Sequence, residues 1–454
     1  MAEGLIASSA APTVVGLGAT GLSCVRHFVQ QGIPCSVVDS RPSPPGLEAL
    51  QALAPGVPVA LGPLQEDILK SAGRLVVSPG VSLTEPAVAA AIEAGVPVCG
   101  DIDLFCEAAD APVVGITGSN GKTTVTALLG AMLAEAGRPA AVGGNIGTPA
   151  LALLDHKAAL YVLELSSFQL ERAGHLGLAL ATVLNMSPDH MDRHGNMQAY
   201  HTAKHRIFLD CQAVVFNRDD PLSRPLQSDS VPHWSFGLGV PDRYGYGLRL
   251  HEGEHWIFRE FAPLMPVKEV AMLGGHNLAN ALAALALGEV LAIEHAAMLD
   301  TLRRFTGLPH RCQLVAEHSG LRFINDSKAT NPGATLAALQ GLADSDTDRQ
   351  IVIILGGRGK DADFNALCRE AGKFCRAAIL IGEDAPLLDA ALPAGLAREF
   401  ADTMSAAVTA AMAQAQAGDT ILLSPACASF DMFESYEARG DAFVNCVTAV
   451  GEGR

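Results

Sequence analysis

Pro112–Thr124, PVVGITGSNGKTT, is the stretch on which the fold turns. Pro112–Thr117 is a short valine-rich apolar run of strand character, Gly118–Gly121 a glycine-punctuated turn, and from Lys122 the pattern becomes helical. Val125, Leu128, Leu129, Met132 and Leu133 form one apolar stripe at helical spacing, and Gly137 with Arg138-Pro139 ends it. Strand, turn, Lys-Thr and helix predict a phosphate cradle. Backbone N–H groups and the positive helix end face an anion, Lys122 reaches the outer phosphates, and Thr123 offers a hydroxyl to Mg²⁺. The pattern departs from G-x-x-x-x-G-K-[ST] at one point. Ile116 stands five before Gly121, with glycine at 115, so the compact form G-x-x-G-K-T-T starts at Gly118. A nucleoside triphosphate is the expected ligand.

The 454 residues are long enough for about three domains of ~150 residues each. Hydrophobic residues make up 49% and charged ones 17%, ordinary for an α/β protein with large cores. A net charge of -17 argues against nucleic acid and anionic membrane surfaces as partners. Anionic substrates would then need local lysines, arginines and helix ends. The 10 cysteines are scattered without a C-x-x-C pair, which fits reduced thiols. Glu3 in place of a basic start argues against a signal peptide, and no apolar run reaches the ~18 residues of a membrane span. A cytoplasmic protein is expected.

Ahead of the phosphate loop, Thr13–Leu17 reads as a strand, and Gly16-Leu17-Gly18-Ala19-Thr20-Gly21 fits G-x-G-x-x-G. A helix should follow with Leu22, Val25, Phe28 and Val29 inward and Gly32 as its cap, then a strand Ile33–Val38 ending on Asp39. This is the dinucleotide fingerprint, for which a nicotinamide dehydrogenase is the first guess. The turn asks only for a nucleoside diphosphate, so a UDP-sugar satisfies it equally. Strands Arg74–Val77, leading into Ser78-Pro79-Gly80, and Val96–Cys99 extend the unit.

Beyond the phosphate loop, Gly143–Gly147 is another glycine turn, carrying Asn145. Leu160–Leu165 is a buried strand that brings Glu164 to its carboxyl end, where open α/β sheets bind ligands, and an acid there suits a second Mg²⁺ contact. Strand Ala181–Asn185 runs into a polar loop whose His190 and His194, spaced i, i+4, raise a zinc site without further convergent ligands. Lys204 lies within the apolar stripe of Tyr200, Ala203, Ile207 and Phe208. It either snorkels to water or is held inward as a partly neutral amine. Asn277 and Asn280 share a face at the start of an Ala/Leu-rich helix, Leu278–Ile293. In the last third, strands Leu321–Asn325, Ile351–Leu355, Ala377–Ile381 and Thr420–Leu423 alternate with helices, predicting a mostly parallel sheet with polar and cationic loops after the strands.

In chain order, GITGSNGKTT, GGNIG, the Glu164 strand with SSFQ, NMSPDHMDRHG, YHTAKHRIF, GGHNLAN, LPHRC, NDSKATNP, LGGRGKDADF and LSPACASFD together resemble the Mur ligases over nearly the whole chain. NDSKATN and SPACASFD are similar to the D-glutamate-adding branch, and the DNPR-type signature of the diaminopimelate- or lysine-adding branch is absent. The resemblance implies an α/β chain of three domains: a Rossmann-like N-terminal UDP-sugar domain at 1–102, a P-loop-type central ATPase domain at 103–307 and a Rossmann-like C-terminal D-glutamate domain at 308–454. The implied activity is ATP-dependent amide ligation of D-glutamate to UDP-N-acetylmuramoyl-L-alanine through an acyl phosphate, in peptidoglycan precursor synthesis, by a monomer.

The resemblance also implies roles. Gly118, Ser119, Asn120, Gly121, Lys122, Thr123, Thr124, Asn280, Arg311 and Asp326 would bind ATP. Gly18, Ala19, Thr20, Gly21, Asp39, Ser40, Ser78, Asn145 and His190 would bind the UDP-sugar. Lys328, Thr330, Lys360, Ser429 and Tyr436 would meet D-glutamate. Thr123, Glu164, His190 and a carbamate on Lys204 would serve two Mg²⁺ ions, with Lys122, Glu164, His190 and Lys204 central to catalysis. Arg358 stands where relatives often carry an acid, and Tyr436 where phenylalanine is usual. A folate-polyglutamating ligase and a non-catalytic nucleotide-binding module are the other readings.

Overall fold

The computed structural model describes all residues except 1–10, 156–157, 227–230, 343–349, 360–361 and 452–454. Lys360 therefore lies outside the described residues. Three sheets follow one another along the chain.

The first sheet has spatial order Val59–Leu61, Ser36–Asp39, Pro12–Val15, Arg74–Val77, Val98–Cys99, all parallel. The order reverses between Pro12–Val15 and Arg74–Val77. That switch point opens a crevice between the glycine turn after the one strand and Ser78–Val81 after the other. The second strand begins at Ser36 rather than at Ile33. Pro34 has no N–H to give to a ladder. Helix Ala19–Gln30 buries Cys24, Val25 and Phe28, whereas Val29, expected inward, is 40% exposed.

The central sheet has nine strands. Its parallel core runs Ala141–Gly144, Tyr161–Glu164, Val113–Thr117, Leu180–Val183, Val214–Asn217, His233–Phe236. The phosphate-loop strand Val113–Thr117 is thus flanked by the strand carrying Glu164 and by the strand leading to His190. All three open at neighbouring carboxyl ends. Beyond this core the sheet continues through Gly245–His251 into an antiparallel meander, Glu254–Arg259 and Ala262–Pro266, which the expectation of alternating strands and helices did not include. Helix Lys122–Glu135 buries the whole predicted stripe from Val125 to Leu133 against helix Gly275–Val290.

The third sheet orders Gln313–His318, Leu321–Asn325, Thr420–Leu423, Ile351–Gly356, Cys375–Ile381, Ala397–Phe400, parallel except for its first edge strand. One apolar cluster runs from Val14 and Phe28 through Ile102 and Phe105 to Leu163 and Tyr200, joining the first layer to the second. No helix among the described residues is long and apolar enough to cross a membrane.

Candidate active site between the central and C-terminal sheets

The phosphate loop leaves its strand through Gly118 (φ 151°) and enters the helix through Gly121 (φ 82°), backbone that suits glycine. A Cβ on Gly121 would also sit 2.2 Å from Asn280 Oδ1. The loop is clamped from the next strand end. Ser119 N donates to Asn185 O (2.9 Å), Asn120 N to Asn185 Oδ1 (2.8 Å), and Ser119 Oγ lies 3.0 Å from the Tyr200 hydroxyl. Lys122 curls back, its Nζ donating to Gly118 O (2.8 Å) and Ser119 O (2.9 Å). Burial holds its pKa below the usual lysine value, against the raising effect of Glu164 and Asp189.

Lys204 lies beneath the loop on helix Met197–His205, only 1% exposed, so the inward alternative is the observed one. Its Nζ donates to Gly118 O (2.8 Å) and Thr117 Oγ1 (3.2 Å), and rests 4.9 Å from the Tyr200 ring centre. Burial first, then the Lys122 charge, drives its pKa well below normal.

Glu164 and Asn145 form a pair, with Asn145 Nδ2 donating to Glu164 Oε1 (2.8 Å) and Asn145 N to Glu164 O (2.8 Å). Glu164 Oε2 is buried and has no hydrogen-bond partner, a lone oxygen that a hard cation would satisfy. Thr123 adds a hydroxyl, which accepts from Arg311 Nη2. This donor set fits magnesium completed by phosphate oxygens. Among the described residues no group of three or more His, Cys, Asp and Glu converges on a metal. The zinc alternative fails on geometry. His190 (φ 55°) packs its ring on Phe168 at 4.9 Å, while His194 stacks on the same ring at 5.3 Å and meets Ser167 Oγ at 3.0 Å.

Ser119–Thr123, Asn145, Glu164 and His190 line a cleft of about 870 Å³ whose other wall comes from the C-terminal sheet: Arg311, Lys328, Thr330, Ser429 and Tyr436. The Lys328 ammonium sits 3.7 Å from the Tyr436 ring centre, and burial lowers its pKa to about 8. A neighbouring cavity of about 280 Å³ is lined by Thr124, Asn280, Asp326 and His276, and shares Asn120, Gly121, Arg311 and Lys328 with the cleft. Burial raises Asp326 to about 7, although Ser424 Oγ donates to it at 2.8 Å. Asn280 Nδ2 donates to Asn277 Oδ1 (3.2 Å).

A third cavity, about 370 Å³, occupies the switch point of the first sheet and is lined by Gly18, Ala19, Thr20, Asp39, Ser40 and Ser78, all expected there, and by Arg41. Asp39 is not a free ribose acceptor. It takes Leu17 N (2.6 Å) and a two-point contact from Arg41 (2.7 and 2.9 Å), which hold its pKa near 2. Gly21 is a second correction, because it does not line this cavity. A Cβ there would meet Gly16 O at 1.9 Å, so Gly21 serves helix-on-strand packing. Gly118 and Lys204 likewise support the cleft from below, while Asn145 and His190 face the cleft and not the first-sheet cavity.

Sequence reasoning did not single out Asn185, Arg41 or Asn331, whose side chain approaches Asn120 (3.5 Å) and Asp189 (3.4 Å) across the two sheets. Their polar character was visible, but for Asn185 and Asn331 nothing local names a partner so far along the chain, and Arg41, two residues from its partner Asp39, was passed over for the ribose expectation.

Comparison with known proteins agrees in order and extent. The Mur ligase MurD-like N-terminal domain matches residues 10–100, the Mur ligase middle domain 116–288, and the Mur ligase glutamate ligase domain 310–427. The UDP-N-acetylmuramoylalanine–D-glutamate ligase of Pseudomonas syringae is 52% identical over 98% of this chain and 99% of its own. That of Pseudomonas aeruginosa is 51% identical over the same shares. In fold, a MurF ligase from Thermotoga maritima solved with ADP superposes with a TM-score of 0.59 at 16% identity, covering 99% of this chain and 97% of that one. With half its residues shared with such relatives along almost its entire length, the chain belongs to the Mur ligase family.

Proposed function

We propose that this protein is an ATP-dependent amide ligase that joins D-glutamate to the L-alanine carboxylate of UDP-N-acetylmuramoyl-L-alanine, a step of peptidoglycan precursor synthesis in the cytoplasm. One observation carries it: the cleft of about 870 Å³ has the phosphate loop and Glu164 on one wall, and Lys328, Thr330, Ser429 and Tyr436 on the other. A triphosphate and an anionic amino acid are thereby offered the same space. The names of the relatives, at about half identity over almost their full length, support this substrate pair.

A carboxylate resists amines until its oxygen becomes a leaving group. The carboxylate oxygen attacks the γ-phosphorus and ADP departs. The D-glutamate amine then attacks the acyl carbon, phosphate leaves, and one proton is released. Lys122 and the backbone N–H groups of Gly118–Thr124 hold the transferring phosphoryl in line, because phosphoryl transfer rests on positioning and charge neutralisation. Asn280 and Asp326 hold the nucleoside, Arg311 the phosphates, and Lys328 the D-glutamate carboxylate. The turn at Gly18–Thr20 with Ser40 and Ser78 holds the UDP, and His190 and Asn145 orient the muramoyl end.

Thr123, Glu164 and His190 would hold two magnesium ions, which supply Lewis-acid charge neutralisation when bound. The neutral Lys204 amine would add CO₂, releasing a proton, to become an anionic ligand. The domain bounds 1–102, 103–307 and 308–454 and a monomeric state belong to the same proposal.

Phosphate release tests it. With ATP, Mg²⁺ and UDP-N-acetylmuramoyl-L-alanine, release should require D-glutamate and not occur with L-glutamate. No release with all substrates present would leave only a nucleotide-binding module. Glutamate addition to a folate, or NADH binding with a fluorescence change, would favour the other readings.

A further inference from the structure

The loop Ser78–Val81 lines the first-sheet cavity, yet its Ser78 and Val81 carbonyls accept from arginines on two short helices that follow strands of the central sheet. Arg172 Nη1 donates to the carbonyls of Val77 (3.2 Å) and Ser78, and Arg193 Nη2 to that of Val81 (3.0 Å). Glu171 joins the two guanidiniums, its Oε2 lying 3.2 Å from Arg172 Nη2 and 3.5 Å from Arg193 Nη2. The Arg172 side chain is fully buried and its stem runs against Gly100, where an added Cβ would stand 2.9 Å from Arg172 Cγ. A shorter or neutral side chain would leave these carbonyls unpaired.

The same group reaches the cleft. Arg193 lies 5.1 Å above the Phe168 ring, and that ring carries the His190 imidazole edge-on at 4.9 Å. Ser78 in turn donates its hydroxyl to Gly16 O (2.8 Å), fixing the glycine turn. A continuous chain of contacts therefore links the turn at Gly16 to the ring of His190.

We propose that Glu171, Arg172 and Arg193 are positioning residues that set the spacing between the diphosphate cavity and the cleft. A substrate anchored by its nucleotide at one end then presents its carboxylate in register at the other. This rests on the UDP-linked substrate proposed above. Cradling both ends of one long ligand raises reactivity only if their separation is fixed, since small misplacements cost rate steeply.

The test uses the full chain, with Arg193→Ala and Arg193→Lys, Arg193 being partly exposed and so tolerant of change. Arg193→Ala should lower kcat/KM for UDP-N-acetylmuramoyl-L-alanine about tenfold, the scale of one lost charge-assisted hydrogen bond. The Kd for UDP alone, measured by calorimetry, and the KM for ATP should stay at wild-type values. Arg193→Lys should restore part of the loss. An unchanged kcat/KM overturns the proposal. So does an equal loss of UDP affinity, since the guanidinium would then merely build the cavity. If Arg193→Ala does not fold, Glu171→Gln reads the same split by loosening both arginines. A wild-type chain inactive on this substrate refutes the function proposed above, which is a different failure.

Discussion

Lys122 and Lys204 donate to one and the same oxygen, the carbonyl of Gly118, each at 2.8 Å. Two ammonium groups on one acceptor repel, and the deeper one yields: Lys204 is pushed toward neutrality by burial and then by Lys122. A neutral primary amine reacts with CO₂. Incubation with ¹³C-bicarbonate should produce a carbamate NMR signal that Lys204→Arg lacks, and stripping CO₂ should lower turnover reversibly. A signal that persists in the variant would assign the carbamate elsewhere.

Removing the outer member of the pair has a different effect. Lys122→Ala should reduce kcat on the order of 10²-fold, comparable with the loss of one electrostatic stabiliser. Circular dichroism should remain that of the wild type, since the hydrogen bonds of the Lys122 ammonium go to two carbonyls of the loop itself.

Gly121→Ala should raise KM for ATP about tenfold and lower Tm. The residue would have to keep φ near 82° while its methyl group met Asn280 Oδ1 at 2.2 Å. ATP titration reads the first effect and thermal unfolding the second. An unchanged KM would mean that Asn280 swings away without consequence for the nucleotide.

Lys328 carries its charge below about pH 8, because burial and then Arg311 favour the neutral amine. In the free enzyme, kcat/KM for D-glutamate should therefore fall as pH rises through about 8. Lys328→Arg should keep its cation and remain flat across that range. An identical decline in both chains would move the titration to another group.

Asp101 tests stability rather than turnover. Burial raises its pKa from 3.8 to about 6, with Gln169 Nε2 donating to one oxygen at 3.0 Å and the other oxygen unpartnered. The folded chain binds this proton more tightly than the unfolded one. The stabilisation is thus full below 3.8 and lost as pH rises through about 6, at most roughly 3 kcal/mol. Asp101→Asn should abolish that slope, gaining on the wild type between pH 4 and pH 7 in denaturant midpoint.

What the sequence revealed follows its range. The phosphate loop and the helix behind it are encoded within a few turns of chain, so spacing alone exposes them, whereas for Lys204 spacing left snorkelling and inward placement both open and the fold decides. Arg41 closing on Asp39 is also local, yet it competes with a general expectation that the acid faces a ribose, and only side-chain positions decide. Asn185 under the loop and Arg193 under Val81 are partners from remote segments, which periodicity does not report. The meander Gly245–Pro266 lay outside the expected alternation of strands and helices, and its turn shows in the backbone. Glu252 and Gly253 both take positive φ (52° and 84°) between two alternating runs, the mark of a tight hairpin.

Arg311 bonded to Thr123 brings one last consequence. Thr123 Oγ1 is thereby tied to a guanidinium from the C-terminal segment, and under the proposed function a metal ion meeting this hydroxyl would share it with that arginine. The affinity for nucleotide would then depend on Arg311 as well as on the phosphate loop, since both line the same cleft. An arginine placed there would also meet the incoming phosphates, and arrival at one wall would be registered at the other.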